Sequence, residues 1–111
     1  MLNKNHRLAD ERSFKRIRSK GISLKGKFII MKFVFLNNRL NSKFAISISK
    51  KVASHAVDRN KIKRQISHIL EKLVESLKKS VEMNVIVRVI PEKFSDLNEE
   101  ISLLLKQASL L

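Results

Sequence analysis

Apolar positions along the 111 residues change period several times, and each change marks an element. In "KFAISISK" (43–50), Phe44, Ile46 and Ile48 alternate with Ala45, Ser47 and Ser49, the period of a strand with one apolar face and one face of small residues. The small-residue face suits close approach of a helix or a ligand, and alternation alone equally fits a half-solvated sheet face. "KFIIMKFVFL" (27–36) is dense in β-branched and aromatic residues and predicts another strand, with "NNRLNS" (37–42) as the loop between the two. From about Ser54 to Ser80 the spacing lengthens. Ile62, Ile66, Ile69, Leu70, Leu73 and Leu77 form one stripe of a long amphipathic helix, with Ser54 as its expected N-cap and Asp58 in or near its first turns. "MNVIVRVI" (83–90) predicts a further strand broken by Pro91, and Leu97, Ile101, Leu104, Leu105 and Ala108 predict a closing helix over 95–110, capped by Ser95. Near the start, Leu8, Phe14 and Ile17 lie among cations as a short basic helix over 6–20 that Gly21 ends. The expected order is one helix, two or three strands, a long helix, a strand and a final helix. The length suits one α/β domain over 1–111 with one modest core.

Charge changes this picture most. The chain carries 24 Lys and Arg against 10 Asp and Glu, a formal net charge of +14. Residues 1–70 hold 18 of the cations and three of the acids (Asp10, Glu11, Asp58), whereas 71–111 hold six and seven. Self-repulsion of that size opposes compaction, and a polyanionic partner that releases counterions on binding explains it more readily than an evenly lysine-rich surface. The concentration is sharpest in "SKKVASHAVDRNKIKRQISHIL" (49–70), where four of the six residues from Arg59 to Arg64 are basic and Glu71 and Glu75 come later. A helix presents about half a positive charge at its N-terminus, so stability alone favours the reverse order.

Other chemistry is sparse. No cysteine is present, which excludes a disulfide framework and thiolate metal sites. The N-terminal "MLNKNHRLADERSFKRIRSK" is charged throughout and no run is long enough to span a membrane, so a soluble, cytoplasmic protein with no membrane partner is expected. His6, His55 and His68 form no ligand set, no glycine-rich loop accompanies a strand, and Glu99 and Glu100 read as solvated surface of the closing helix. No catalytic residue is expected in the chain itself.

The binding signal is stronger. On a helical wheel Asn60, Arg64 and Ser67 stand together, with Arg59 and Lys63 on the shoulder toward the apolar stripe. Lys50 and Lys51 end the alternating strand just before this helix. A strand end meeting a helix start, with free backbone N–H groups, suits phosphates or phosphate-bound hydrated magnesium. With no Tyr or Trp, base stacking falls to phenylalanine, and Phe14 in the basic first helix is the candidate, with a core anchor as its competing reading.

"SKKVASHAVDRNKIKR" resembles the signature of the bacterial ribonuclease P protein subunit, in which a strand ending in Ser-Lys-Lys leads into a helix opening with an Arg-Asn-Arg-x-Lys-Arg type motif. "RLADERSFKRI", "GKFIIMKFV" and "VIVRVIPEKFSDLNEEISLLL" resemble that family's N-terminal segment, first strand, and last strand with closing helix, in the same order. Departures are Lys61 for the motif's second Arg, Ser67 for a further Arg, Met31 and Arg18 for cleft aromatics, and Ala53 for a turn glycine. Lys61 keeps the charge and loses the bidentate fork.

The resemblance implies an α+β sandwich, ordered α-β-β-β-α-β-α, with a left-handed βαβ crossover against the usual hand. It implies a subunit of an endoribonuclease whose catalytic centre lies in a partner RNA with magnesium, and which removes the 5′ leader of precursor tRNA. Lys50, Lys51, Arg59, Asn60, Lys61, Lys63 and Arg64 are then expected to face the catalytic RNA, with Asn60 near its metal. Phe14, Arg18, Met31 and Lys51 are expected to line the cleft for the leader. The rival expectations are a ribosome-associated RNA-binding protein with no role in cleavage, and a DNA-binding protein, which lacks a recognition helix or dimer interface in the pattern.

Overall fold

In the computed structural model, which describes residues 2, 4–37 and 40–111, one four-stranded sheet sorts the side chains into two faces. Its strands are β1 (Ile22–Lys25), β2 (Ile29–Phe35), β3 (Lys43–Ile48) and β4 (Val81–Val87), in the spatial order β1-β2-β4-β3. β4 runs antiparallel to β2 and parallel to β3. Two strands that are parallel neighbours need a crossover, and α2 (Ala56–Leu73) supplies it. The other helices are α1 (Glu11–Lys20) and α3 (Phe94–Gln107). The expected α-β-β-β-α-β-α order is the observed one.

Register decides what each face carries. Ile29, Met31 and Phe33 of β2, Phe44 of β3, and Val81, Met83, Val85 and Val87 of β4 point to one side, where Ile62, Ile66, Ile69 and Leu70 of α2 and Leu97, Ile101, Leu104 and Leu105 of α3 cover them. The opposite face carries Ile30, Lys32, Ala45, Ser47, Glu82, Asn84 and Ile86, and among the described residues α1 is the helix that packs across β2 and β4 there. α1 is fastened there by a buried carboxylate. Ser13 Oγ donates to Glu82 Oε2 at 2.5 Å and Arg16 Nη1 to Glu82 Oε1 at 2.9 Å.

Several local boundaries differ from the sequence pattern, each for a physical reason. The first helix starts at Glu11 rather than near residue 6, because the Asp10 carboxylate caps it by accepting the Arg12 N–H at 3.1 Å. The residues before it form a 3₁₀ turn at Lys4–His6 and then pair with the edge of β3, Leu8 N–H donating to the Phe44 carbonyl at 2.9 Å, which lets Leu2 and Leu8 bury. Gly21 ends α1 as expected, and a Cβ there would collide with the Ile17 carbonyl. α2 is capped at His55, not Ser54, and stops at Leu73. A 3₁₀ turn at Val74–Ser76 follows, and Leu77 is extended. α3 is capped at Lys93, which puts Ser95 inside its first turn. β4 begins two residues earlier than its apolar run, and β1 is a four-residue strand too short to show a period. Of the loop over 37–42, Asn38 and Arg39 lie outside the described residues.

Glu100 is not solvated surface. Its carboxylate accepts the backbone N–H groups of Lys27, Phe28 and Ile29 at 2.5, 2.8 and 2.9 Å, so α3 grips the turn between β1 and β2. Gly26 permits this approach, since a Cβ there would lie 2.6 Å from the Glu100 carboxyl carbon.

Candidate nucleic-acid interface

After Ile48 the chain turns tightly, the Ser49 carbonyl accepting the N–H groups of Val52 at 3.1 Å and Ala53 at 3.2 Å. The turn leaves Lys50 and Lys51 exposed beyond the strand end. Ala53, in the position of the family's glycine, is buried. Arg59 does not point freely outward. Its Nη1 donates to the carbonyls of Ala53 at 2.7 Å and Ser54 at 3.0 Å, so this guanidinium, half-buried, braces the turn that carries the two lysines.

The rest of the basic cluster divides along α2. Asn60 and Arg64 are exposed. Ser67, expected beside them on an open polar face, is only 4% exposed, because α2 rolls that flank onto the edge of β3. Lys63 lies on the same flank and lines a cleft of about 350 Å³ with Phe14, Ala45, Ser47 and Ser67. Lys61 faces the other way, into a separate groove of about 290 Å³ with Asp58, Gln65 and Phe94. The contiguous motif in sequence therefore serves two flanks of one helix.

Phe14 is half-buried on the cleft side of α1, and exposed Arg18, four residues on, shares its flank. Met31 is a correction. It is 0% exposed, in the core layer with Ile29, Phe33 and Val85, so no ligand in the cleft reaches it. Strand parity causes this, since residues of β2 that face the α1 side are Ile30 and Lys32. The sequence reading also missed a polar pair on the cleft face, where Ser47 Oγ donates to Asn84 Oδ1 at 2.9 Å. An asparagine inside the apolar run from Met83 to Val87 was the available signal.

These elements define a small basic α+β protein with an aromatic and a cation on opposite walls of a cleft floored by small residues. The chain belongs to the ribonuclease P protein family: the Ribonuclease P family model matches residues 2–109. It is 30% identical over 113 residues to the ribonuclease P protein component of a Pseudanabaena species, covering 100% of this chain and 97% of that one. It is 32% identical over 108 residues to the corresponding component of Rickettsia peacockii, covering 86% and 90%. Among solved structures, a Staphylococcus aureus RNase P protein mutant with defective mRNA degradation activity superposes with a TM-score of 0.85 at 26% identity, covering 97% of this chain and 92% of that one. The RNase P protein from Thermotoga maritima superposes at 0.78 with 27% identity, covering 92% and 96%. The chain is thus a protein subunit of the endoribonuclease that processes tRNA 5′ ends, and its partner is the ribonuclease P RNA. No helix among the described residues is long and apolar enough to cross a membrane.

Proposed function

We propose that the cleft between α1, β3 and α2 holds the 5′ leader of precursor tRNA, while the cations at the end of β3 and on the outer side of α2 contact the catalytic RNA. One observation carries this reading: Phe14 and Lys63 line the same cleft over the small side chains Ala45 and Ser47. A single strand offers splayed bases and a charged backbone, and an aromatic facing a cation holds both with little demand on sequence. Lys51 and Arg18, exposed at the strand end and on α1, extend the positive track. Lys50, Asn60 and Arg64 point to solvent and meet the catalytic RNA, and Lys61 joins them from the neighbouring flank. Arg59 acts mainly by fixing the turn.

Bound magnesium supplies charge neutralisation and activation of water for phosphodiester hydrolysis in this class of reaction. Asn60 fits it in one respect, offering an exposed neutral amide oxygen at the start of α2, which suits contact through the metal's hydration shell rather than direct ligation. The protein's own part is to bind, orient and screen charge. The same reading puts the protein in the cytoplasm with its RNA partner and substrate.

The test is a series of precursor tRNAs with progressively shortened leaders, bound to holoenzyme reconstituted with the cognate RNA. Affinity should fall as the nucleotides that reach the cleft are removed and end level with mature tRNA. Equal affinity for precursor and mature tRNA throughout would sink the reading. For assembly with the catalytic RNA, Arg64→Ala should flatten the slope of log affinity against log salt by about 0.7–0.9.

A further inference from the structure

The flank of α2 that faces away from the cleft borders a groove of about 290 Å³ whose two walls differ. One wall is the segment after β4 with the start of α3, where Ile90, Pro91 and Phe94 line the groove beside Glu92. Ile90 and Phe94 are large apolar side chains left exposed, and Val57, one turn before Lys61 on α2, is 75% exposed. The other wall is polar. Asp58, Lys61 and Gln65 follow one another along α2 at spacings of three and four residues, which puts them on one side of the helix. Among the described residues none of these three side chains, nor that of Glu92, has a hydrogen-bond or ion-pair partner. Core packing does not ask for this arrangement, since α2 meets the sheet through Ile62, Ile66, Ile69 and Leu70, and neither Val57 nor Phe94 joins them. An open ring across from unpaired polar groups is the make-up of a ligand site.

We infer that this groove takes one unpaired base of the catalytic RNA, stacked on Phe94, with Lys61 at the adjoining phosphate. The inference rests on the reading above that the outer side of α2 faces that RNA. Arg64 is three residues from Lys61, so the two cations are neighbours on the helix, and a strand held by Asn60 and Arg64 reaches the rim of the groove without leaving the protein. Charge then sorts what enters. Asp58 and Glu92 repel a phosphate, which stays at the rim with Lys61 and Arg64. A base carries no charge, its amino and imino N–H groups can donate to those carboxylates, and Gln65 offers both a donor and an acceptor. The volume suits one base rather than a run of nucleotides, being at the lower end of small-ligand pockets, about 300 Å³. Loops and bulges of a folded RNA present such splayed bases, and aromatic side chains are where proteins hold them. A protein partner could use the same apolar wall, but continuity with the cations of α2 favours RNA.

The experiment follows assembly of protein variants with the cognate catalytic RNA in two ways, by affinity across a salt series and by chemical probing of the RNA's base edges with and without protein. Phe94→Ala should weaken binding by about five- to a hundredfold and leave the slope of log affinity against log salt unchanged, because a stacked base releases no counterion. One unpaired nucleotide, protected by the wild type, should become reactive. Phe94→Tyr should keep both affinity and protection, whereas Phe94→Leu, which has apolar bulk without a ring, should keep neither. Lys61→Gln should give the reverse signature, a slope flatter by about 0.7 with the nucleotide still protected. Melting curves establish that each variant folds, and Phe94→Leu carries the test if Phe94→Ala does not. Wild-type affinity and reactivity in folded Phe94→Leu overturn the inference and leave the groove to an apolar partner surface. A weaker affinity with no nucleotide newly reactive overturns it as well. Arg64→Ala keeps the two readings apart. If it alone weakens assembly and flattens the slope, only the base site falls; if neither it nor the Phe94 variants matter, the assembly reading falls too.

Discussion

The two faces of the sheet are built from the same strands, one residue out of step, and they have opposite fates. On one face Ile29, Met31, Phe33 and Phe44, with Val81, Met83, Val85 and Val87 of β4, meet a helix and disappear into the core, while Ile46 and Ile48 are half-buried at its margin. On the other, α1 covers part of the area, attached by the buried Ile17 together with polar contacts among Ser13, Arg16 and Glu82. The first face uses its area for stability and has no room for a ligand. The second leaves backbone-level small side chains, one amide and half-covered apolar groups open beside cations. A domain this small has one core, and the face left over is where recognition can be built.

The sharpest contrast comes from deleting a large core side chain. Phe33→Ala should cost about 3–5 kcal/mol of unfolding free energy, read from denaturant melts, since the ring is almost wholly enclosed. A loss under 1 kcal/mol would mean that the core face is less closed than described. Glu82→Ala should cost about 1–3 kcal/mol, because buried Ser13 loses its acceptor while half-exposed Arg16 turns to water. It should also loosen α1 and lower precursor affinity in the holoenzyme, joining the two faces in one measurement. If stability drops and precursor binding does not, the cleft does not depend on where α1 sits.

Phe14→Ala separates the faces most directly. Stacking on an aromatic is worth about 1–3 kcal/mol per base, so precursor affinity should fall by about tenfold while mature tRNA binding barely changes. A protein that melts, or an equal loss for both tRNAs, assigns Phe14 to packing. The smallest effect is expected from Met31→Leu, a volume-conserving core swap that should cost under about 1.5 kcal/mol and leave leader preference untouched. A change in that preference would reverse the placement of Met31.

Much of this was legible in the chain. The stripe from Ile62 to Leu73 spans three turns, enough for the helical period to stand out, and 43–50 alternates cleanly. The basic turn and helix start announced an anionic partner through charge alone. What failed had too little sequence or too little contrast. In 27–36 both parities are largely apolar, so nothing local says that Met31 faces the core while Ile30 and Lys32 face the α1 side; that follows from pairing with β4. Ser54 and Ser95 are good capping residues, yet the helices start after His55 and Lys93, neither of which makes a side-chain cap bond, so capping chemistry did not set these boundaries. Arg59 looked like a free cation because its acceptors are backbone carbonyls, which no sequence pattern marks. Glu100 looked like a surface acid for a similar reason, its partners lying 71 to 73 positions away.

The place of β4 in the sheet also governs when the protein becomes itself. β2 and β3 never touch as neighbours; each pairs with β4, which follows Ile48 only after the whole of α2. While the chain is being synthesised, two strands with unpaired edges must therefore wait, and the cations of the first 70 residues have no rigid frame to hold them apart. Such long-range closure is slow relative to helix formation, and exposed edges invite association with other chains in the interval. A nascent chain this basic will meet RNA before it has a fold, so its earliest contacts are those of a polycation, and selectivity arrives only with the seven residues from Val81 to Val87.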